Sequence, residues 1–129
     1  PVAHSFPTRR SSDLERLVEY AGAFLTAFTW PLLHLNFLLQ VTPKCDCKSY
    51  SEAPLCPDIG VLASYDPVAL DQAGLDLVNA AVHKKDPEST DQTLDIFDHL
   101  HPRTRGETVL EMAEKLGLGV REYTLKTVQ

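Results

Sequence analysis

Ile59-Gly-Val-Leu-Ala-Ser64-Tyr65-Asp66-Pro67-Val-Ala-Leu-Asp71-Gln72 passes from one structural period to another without an intervening loop. Ile59 to Ala63 is short, apolar and β-branched at its start, which reads as a strand. Ser64-Tyr65-Asp66-Pro67 then reads as a helix start. The Asp66 carboxylate accepts from the unsatisfied amides of the first turn, and Pro67 at the first helical position forfeits no hydrogen bond. The helix runs to about Val82 and buries Leu70, Ala73, Gly74, Leu77, Val78 and Ala81, with Gln72, Asp76 and Asn79 as a solvated stripe. A strand feeding directly into a helix sets the class as α/β or α+β.

Working upstream, Pro43 to Pro57 is a loop rich in turn formers, with no periodic apolar face. Leu32 to Val41 is Leu- and Phe-rich and closed by Pro43. It reads as a buried strand, with a continued helix as the competing reading. Trp30-Pro31 breaks a helix predicted from Glu15 to about Thr29, whose apolar residues Leu17, Val18, Tyr20, Ala21, Phe24, Leu25 and Phe28 recur at helical spacing. Working downstream, His83 to Thr90 is a polar linker, and Asp91 to Leu100 is a short helix with Leu94, Ile96, Phe97 and Leu100 toward the core. Glu107 to Leu116 is a further helix. Gly117 occupies its left-handed C′ position, and Leu118 packs back on the last turn. Arg121 to Val128 sets Tyr123 and Leu125 against Glu122, Thr124 and Lys126, the alternation of a final strand. The sum is a small mixed sheet of about three strands with about four helices, incomplete at the N-terminus.

That incompleteness follows from the first residues. His4-Ser-Phe-Pro-Thr-Arg-Arg-Ser-Ser-Asp-Leu14 reads, in order and in frame, as the translation of a sequencing-library adapter. On this reading residues 1–14 are a foreign tail, to be excluded from fold reasoning like any fusion scar, and residues 15–129 are the C-terminal fragment of a single domain. The strand from Leu32 to Val41 is then expected to present an edge that upstream strands would cover.

The 129 residues, 43% hydrophobic and 23% charged, are one domain's worth of ordinary globular composition. A net charge of −6 with no Lys/Arg cluster argues against a nucleic-acid partner. The longest apolar run, Trp30 to Val41, is interrupted by His34, Asn36 and Gln40, so no bilayer span is expected. Three cysteines do not make a secreted disulfide framework, which favours a reducing, cytoplasmic location.

Cys45-Asp46-Cys47, with Cys56 beyond it and Asp58 alongside, offers three thiolates to zinc or iron–sulfur iron, and His34 or Asp58 could complete the shell. The spacing lacks a Cys-x-x-Cys pair and a fourth cysteine, and the alternative is small hydrophobes packed in a tight loop. At the helix start, Asp66 and Asp71 would discourage a phosphate and favour a divalent cation, the alternative being a plain N-cap. Standing five apart, these two carboxylates do not share a helical face. His99 and His101 read as charge partners of a helix C-terminus. No phosphate-binding glycine loop or serine-nucleophile elbow is present.

Asn36-Phe-Leu-Leu-Gln-Val-Thr-Pro-Lys-Cys-Asp-Cys47, Ala53-Pro-Leu-Cys-Pro-Asp-Ile-Gly-Val-Leu-Ala-Ser64, Asp66-Pro-Val-Ala-Leu-Asp-Gln72 and Leu75-Asp-Leu-Val-Asn79 resemble the C-terminal part of the domain of unknown function 362 family. His101-Pro102, Leu110-Glu-Met-Ala-Glu-Lys-Leu-Gly-Leu-Gly119 and Arg121-Glu-Tyr123 extend the likeness from about Glu15 to the end. Members are often described as uncharacterised iron–sulfur-centre proteins. Many carry an upstream ferredoxin-like segment with two Cys-x-x-Cys-x-x-Cys runs for two 4Fe-4S clusters, a segment absent here. The resemblance therefore implies an iron–sulfur or divalent-metal association, a redox role in the full-length protein and redox partner proteins. It carries over to the Cys45-Asp46-Cys47 loop and to Asp58, Asp66 and Asp71, and implies no reaction; Cys56 joins the candidate ligands from the cysteine count alone. The competing expectations are a metal-dependent enzyme using Asp58, Asp66 and Asp71, and a structural fragment with no site of its own.

Overall fold

The computed structural model describes residues 13–45, 47–50, 52–85, 95–102 and 105–128. Its elements follow as α1 (Asp13–Thr26), β1 (His34–Leu38), β2 (Gly60–Ser64), α2 (Pro67–Lys85), α3 (Ile96–Leu100) and α4 (Gly106–Lys115). The two strands pair antiparallel, with Asn36 opposite Leu62 and Leu38 opposite Gly60. The mixed class expected from the sequence holds, with four helices on a two-stranded sheet among the described residues.

α2 is the central element, packing against both strands and against α4. Asp66 caps it as expected: one carboxylate oxygen accepts from the amides of Val68 and Ala69, both at 2.9 Å. Gly74 lets the sheet approach, since a Cβ there would lie 3.0 Å from Asn36 Nδ2 and 3.6 Å from a Leu38 methyl. One core cluster joins Leu38, Cys56, Val78, Val82 and Ile96. A second joins Val18, Val68, Leu110 and Ala113. Leu118 packs against that second cluster, and its amide reaches back to the Ala113 carbonyl at 3.0 Å. Gly117 has the left-handed φ of 72° that this helix ending requires.

Several boundaries differ from the sequence reading. α1 stops at Thr26, its last turn tightening through Ala27 and Phe28 amides bonded to the Phe24 and Leu25 carbonyls. Residues 91–94 of the helix expected from Asp91 lie outside the described residues, as do residues 4–12 of the adapter-like run and residues 86–90 of the linker. Asp13 and Leu14, the end of that run, form the start of α1.

Two expectations are corrected. Arg121 to Val128 joins no ladder. Side chains hold this segment instead. Arg121 donates to Gln72 Oε1 at 2.8 Å and pairs with Glu107 at 3.0 Å and Glu111 at 3.7 Å, while the Tyr123 hydroxyl donates to Asp76 at 2.8 Å. A cavity of about 650 Å³ separates residues 123–128 from β2. The second correction follows from the first. Gln72, Asp76 and Asn79 are a solvated stripe only in part: Asp76 stays exposed while bonding the C-terminal segment, but that segment also takes Gln72, and half-buried Asn79 accepts at Oδ1 from the Ile96 amide at 2.8 Å. Gln72 is buried and also donates to Asp76 at 2.9 Å.

Candidate metal-binding loop

Residues 39–59 connect the two strands and carry all three cysteines. The loop is closed at its base by main-chain bonds that prolong the sheet: the Ile59 amide to the Leu38 carbonyl at 2.9 Å, and the Leu55 amide to the Val41 carbonyl at 2.8 Å. Between them Gln40 takes a left-handed φ of 50°, unusual for a residue with a side chain. Asp58 holds it there, its Oδ1 accepting from the Gln40 amide at 2.7 Å and from Gln40 Nε2 at 3.1 Å. Asp58 is thus committed to the loop base.

Helices fasten the outer part. Lys85, in the last turn of α2, donates to the carbonyls of Pro54 at 3.1 Å and Leu55 at 3.0 Å. His101, which caps α3, places Nε2 2.6 Å from the Pro43 carbonyl. Cations at a helix C-terminus also meet the negative end of its dipole. His99 occupies the last turn of α3, as expected. Lys44 pairs with Glu52, donates to the Tyr50 hydroxyl at 3.3 Å and sits 5.0 Å from the Tyr50 ring centroid. Glu52, then Tyr50, holds the Lys44 ammonium above its ordinary range.

The cysteines separate. Cys45 and Cys47 are exposed on a tight turn, in which the Lys48 amide donates to the Cys45 carbonyl at 3.1 Å and the Cys47 amide to Cys45 Sγ at 3.3 Å. Cys56 is only 2% exposed and packs with Leu38, Val78, Val82 and Ile96. Burial pushes its thiol above the ordinary range, Lys85 pulling down and Asp58 adding to the rise. Asp46 lies outside the described residues.

The other proposed carboxylates stand elsewhere. Asp58 and Asp66 flank the two ends of β2, a strand that spans about 16 Å at ~3.3 Å per residue. Asp66 Oδ1 is taken by the α2 amides, and Oδ2 accepts from the Val120 amide at 2.9 Å. Asp71 and His34 lie toward the Asp66 end. His34 opens β1 opposite Ser64, and Asp71 follows one turn into α2. Desolvation raises the Asp71 carboxyl above its ordinary range, with His34 pulling it down. The loop's cysteines are therefore remote from Asp66, Asp71 and His34. Among the described residues no three His, Cys, Asp or Glu side chains gather as a metal-binding group.

A 4Fe-4S cluster needs four thiolates, and this chain offers three, one of them enclosed in the core. The residues present do not fit a cluster held by this chain alone. Sequence reasoning also missed Lys85 and His101 as loop anchors. The only local signal was their place at helix ends, where a cation is favoured whatever it touches.

No described helix is long and apolar enough to cross a membrane. Comparison with curated proteins and with solved structures returned no match. A comparison with protein families did. The matched residues begin one position ahead of the adapter-like run and take it in, include both strands and the whole cysteine loop, and end inside α2. They run from 3 to 76, more than half of the chain, matching the family described as Domain of unknown function (DUF362), and the chain belongs to that family.

Proposed function

We propose that the protein is metal- or iron–sulfur-associated with a redox role, and that the Cys45–Cys47 turn is this chain's contribution to that chemistry. The observation that carries the reading is the exposure of both thiols on a turn whose base is fixed by Asp58 and by the Leu55–Val41 and Ile59–Leu38 bonds. Soft thiolates suit zinc, copper or iron–sulfur iron. A complete cluster would be held by cysteines outside this chain, in keeping with the reading of residues 1–14 as foreign and 15–129 as the C-terminal part of a longer domain. The partners on this reading are redox proteins, and the compartment is the reducing cytoplasm, where exposed thiols stay unoxidised.

A structural role without a site is the second reading. It is favoured by the use made of Cys56, Asp58 and Asp66, each consumed by the fold. A metal-dependent enzyme built on Asp58, Asp66 and Asp71 gains no support, since Asp58 and Asp66 flank opposite ends of β2.

The deciding experiment is anaerobic expression of the longer natural protein, with visible absorption and iron, zinc and sulfide analysis, beside its C45S variant. Metal that falls on Cys45→Ser supports the first reading. Metal unchanged by that substitution, or no metal at all, moves the assignment to the structural one.

A further inference from the structure

The cavity between β2 and the C-terminal segment is bordered by main chain on both sides. Residues 59–64 and residues 123–128 each line it in unbroken succession, whereas a side-chain face of a strand would contribute only alternate residues. We infer that the cavity is a slot for one separate extended polypeptide strand, apolar at alternate positions and bearing a carboxylate, which pairs with β2 on one side and with residues 123–128 on the other. The inference is independent of the cysteine loop.

Unpaired backbone is the first argument. β2 pairs with β1 along one edge, and among the described residues its second edge joins no ladder. Residues 122–128 make no main-chain hydrogen bond among the described residues. Two rows of amides and carbonyls thus border one gap, and another main chain is the group that satisfies both at once. The lining runs about 20 Å along β2 at ~3.3 Å per residue, so a compact ligand would leave most of that edge unpaired.

The course of the segment follows from α2. This helix runs back along β2, from Asp66 beyond the last residue of the strand to Val78 beside Leu38, the partner of Gly60. Val120 bonds Asp66, Arg121 bonds Gln72 and Tyr123 bonds Asp76, so the segment advances with α2 and passes β2 antiparallel. A strand between them is antiparallel to one neighbour and parallel to the other, and both arrangements form ladders. The remaining lining narrows the occupant. Ala69, Leu70, Ala73 and Leu77 of α2 call for apolar side chains on the face turned toward them. Of the described residues that line the cavity Lys126 alone is charged, which favours a carboxylate on the strand over a cation.

The test is binding of a labelled, end-blocked peptide Glu-Val-Thr-Val-Thr-Val-Glu to the full chain, followed by fluorescence anisotropy and amide hydrogen exchange. Saturable uptake of one peptide per chain is expected, with slowed exchange in both β2 and residues 123–128. Two further peptides carry methyl groups on alternate backbone nitrogens, one at odd and one at even positions. Both should bind about tenfold more weakly, because a strand between two walls uses both of its edges. A strand added to the outer edge of β1 would be weakened by only one of them, and that outcome overturns the slot. Lys126→Glu should weaken the peptide about fivefold, and a peptide with Lys in place of both Glu should recover the loss. Absence of binding, or residues 123–128 and β2 already protecting each other without peptide, overturns the inference. Protection of both segments that grows with chain concentration and is not displaced by peptide makes a second copy the occupant and overturns it too.

Discussion

Gly119 leaves no room for a side chain. A Cβ there would meet both oxygens of Asp66, the carboxylate that caps α2 and binds the Val120 amide. Gly119→Ala should therefore destabilise by about 1–2 kcal/mol, the usual worth of an N-cap. The loss should shrink in an Asp66→Ala background, where nothing remains to clash; a double-mutant cycle by urea unfolding measures that coupling. Cys56 makes a contrasting case. Serine is nearly isosteric but brings a hydroxyl into an apolar cluster, so Cys56→Ser should cost about 1–3 kcal/mol and Cys56→Val less. Asp71 adds a pH signature. Its carboxyl is raised above the unfolded value of 3.8, chiefly by desolvation, so the folded state binds its proton more tightly than the unfolded one. The protonated form thus contributes stability below the unfolded value that is lost as pH rises through the folded value. Because Asp71 is itself solvent-exposed, the effect is small: Asp71→Asn should raise the melting temperature slightly at neutral pH and change it little near about pH 3. A melting temperature lowered at neutral pH would show instead that the His34 attraction dominates.

Among the elements, the parts legible in the sequence are those whose signals are local. Asp66-Pro67 marked the start of α2, Gly117 the end of α4, and the period change at Ser64 the join of strand and helix. What failed depended on residues far apart in the chain. Gln72, Asp76 and Asn79 are polar at helical spacing, which describes a solvated face equally well whether or not Arg121, Tyr123 and Ile96 lie over it. The alternation of Tyr123 and Leu125 promised a strand, yet the pull of Glu107, Glu111 and Gln72 on Arg121 fixes the segment beside α4 and α2. The candidate site divides in the same way. Spacing showed three thiols, and only packing separated the buried one from the exposed pair. The C-terminal segment should behave as a strap released by one change. Arg121→Met removes the guanidinium from the buried Gln72 and leaves its oxygen without that donor, a loss of about 1–3 kcal/mol. Hydrogen exchange should speed up at the Val120 and Arg121 amides while α2 stays protected. Uniform acceleration through α2 would mean that the strap and the core open together.

For the whole molecule, the decisive feature is that α2 covers one face of the sheet while the other stands open. Leu35 faces Ala63 and Phe37 faces Val61 across the ladder, all four exposed, with Leu33 and Leu39 exposed just beyond β1. α1 repeats the pattern on a helix: Val18 and Gly22 turn inward, whereas Leu17, Tyr20 and Phe24 remain exposed, with Phe28 exposed just beyond its end. An antiparallel sheet commonly leaves one face to water, but that face is then polar; here it is apolar, and an apolar patch of this kind on an isolated chain drives association. Both strands of a two-stranded sheet are also edges, open to pairing with another chain. The chain on its own should therefore sediment as concentration-dependent assemblies, enhance the fluorescence of a hydrophobic dye and melt without a sharp transition. Phe37→Lys should reduce both the association and the dye binding, because it places a charge at the centre of the exposed face and removes no contact with α2. A monomer with a single sharp two-state melt across concentrations would contradict this, showing that the α2 face and the two core clusters suffice to hold the fold.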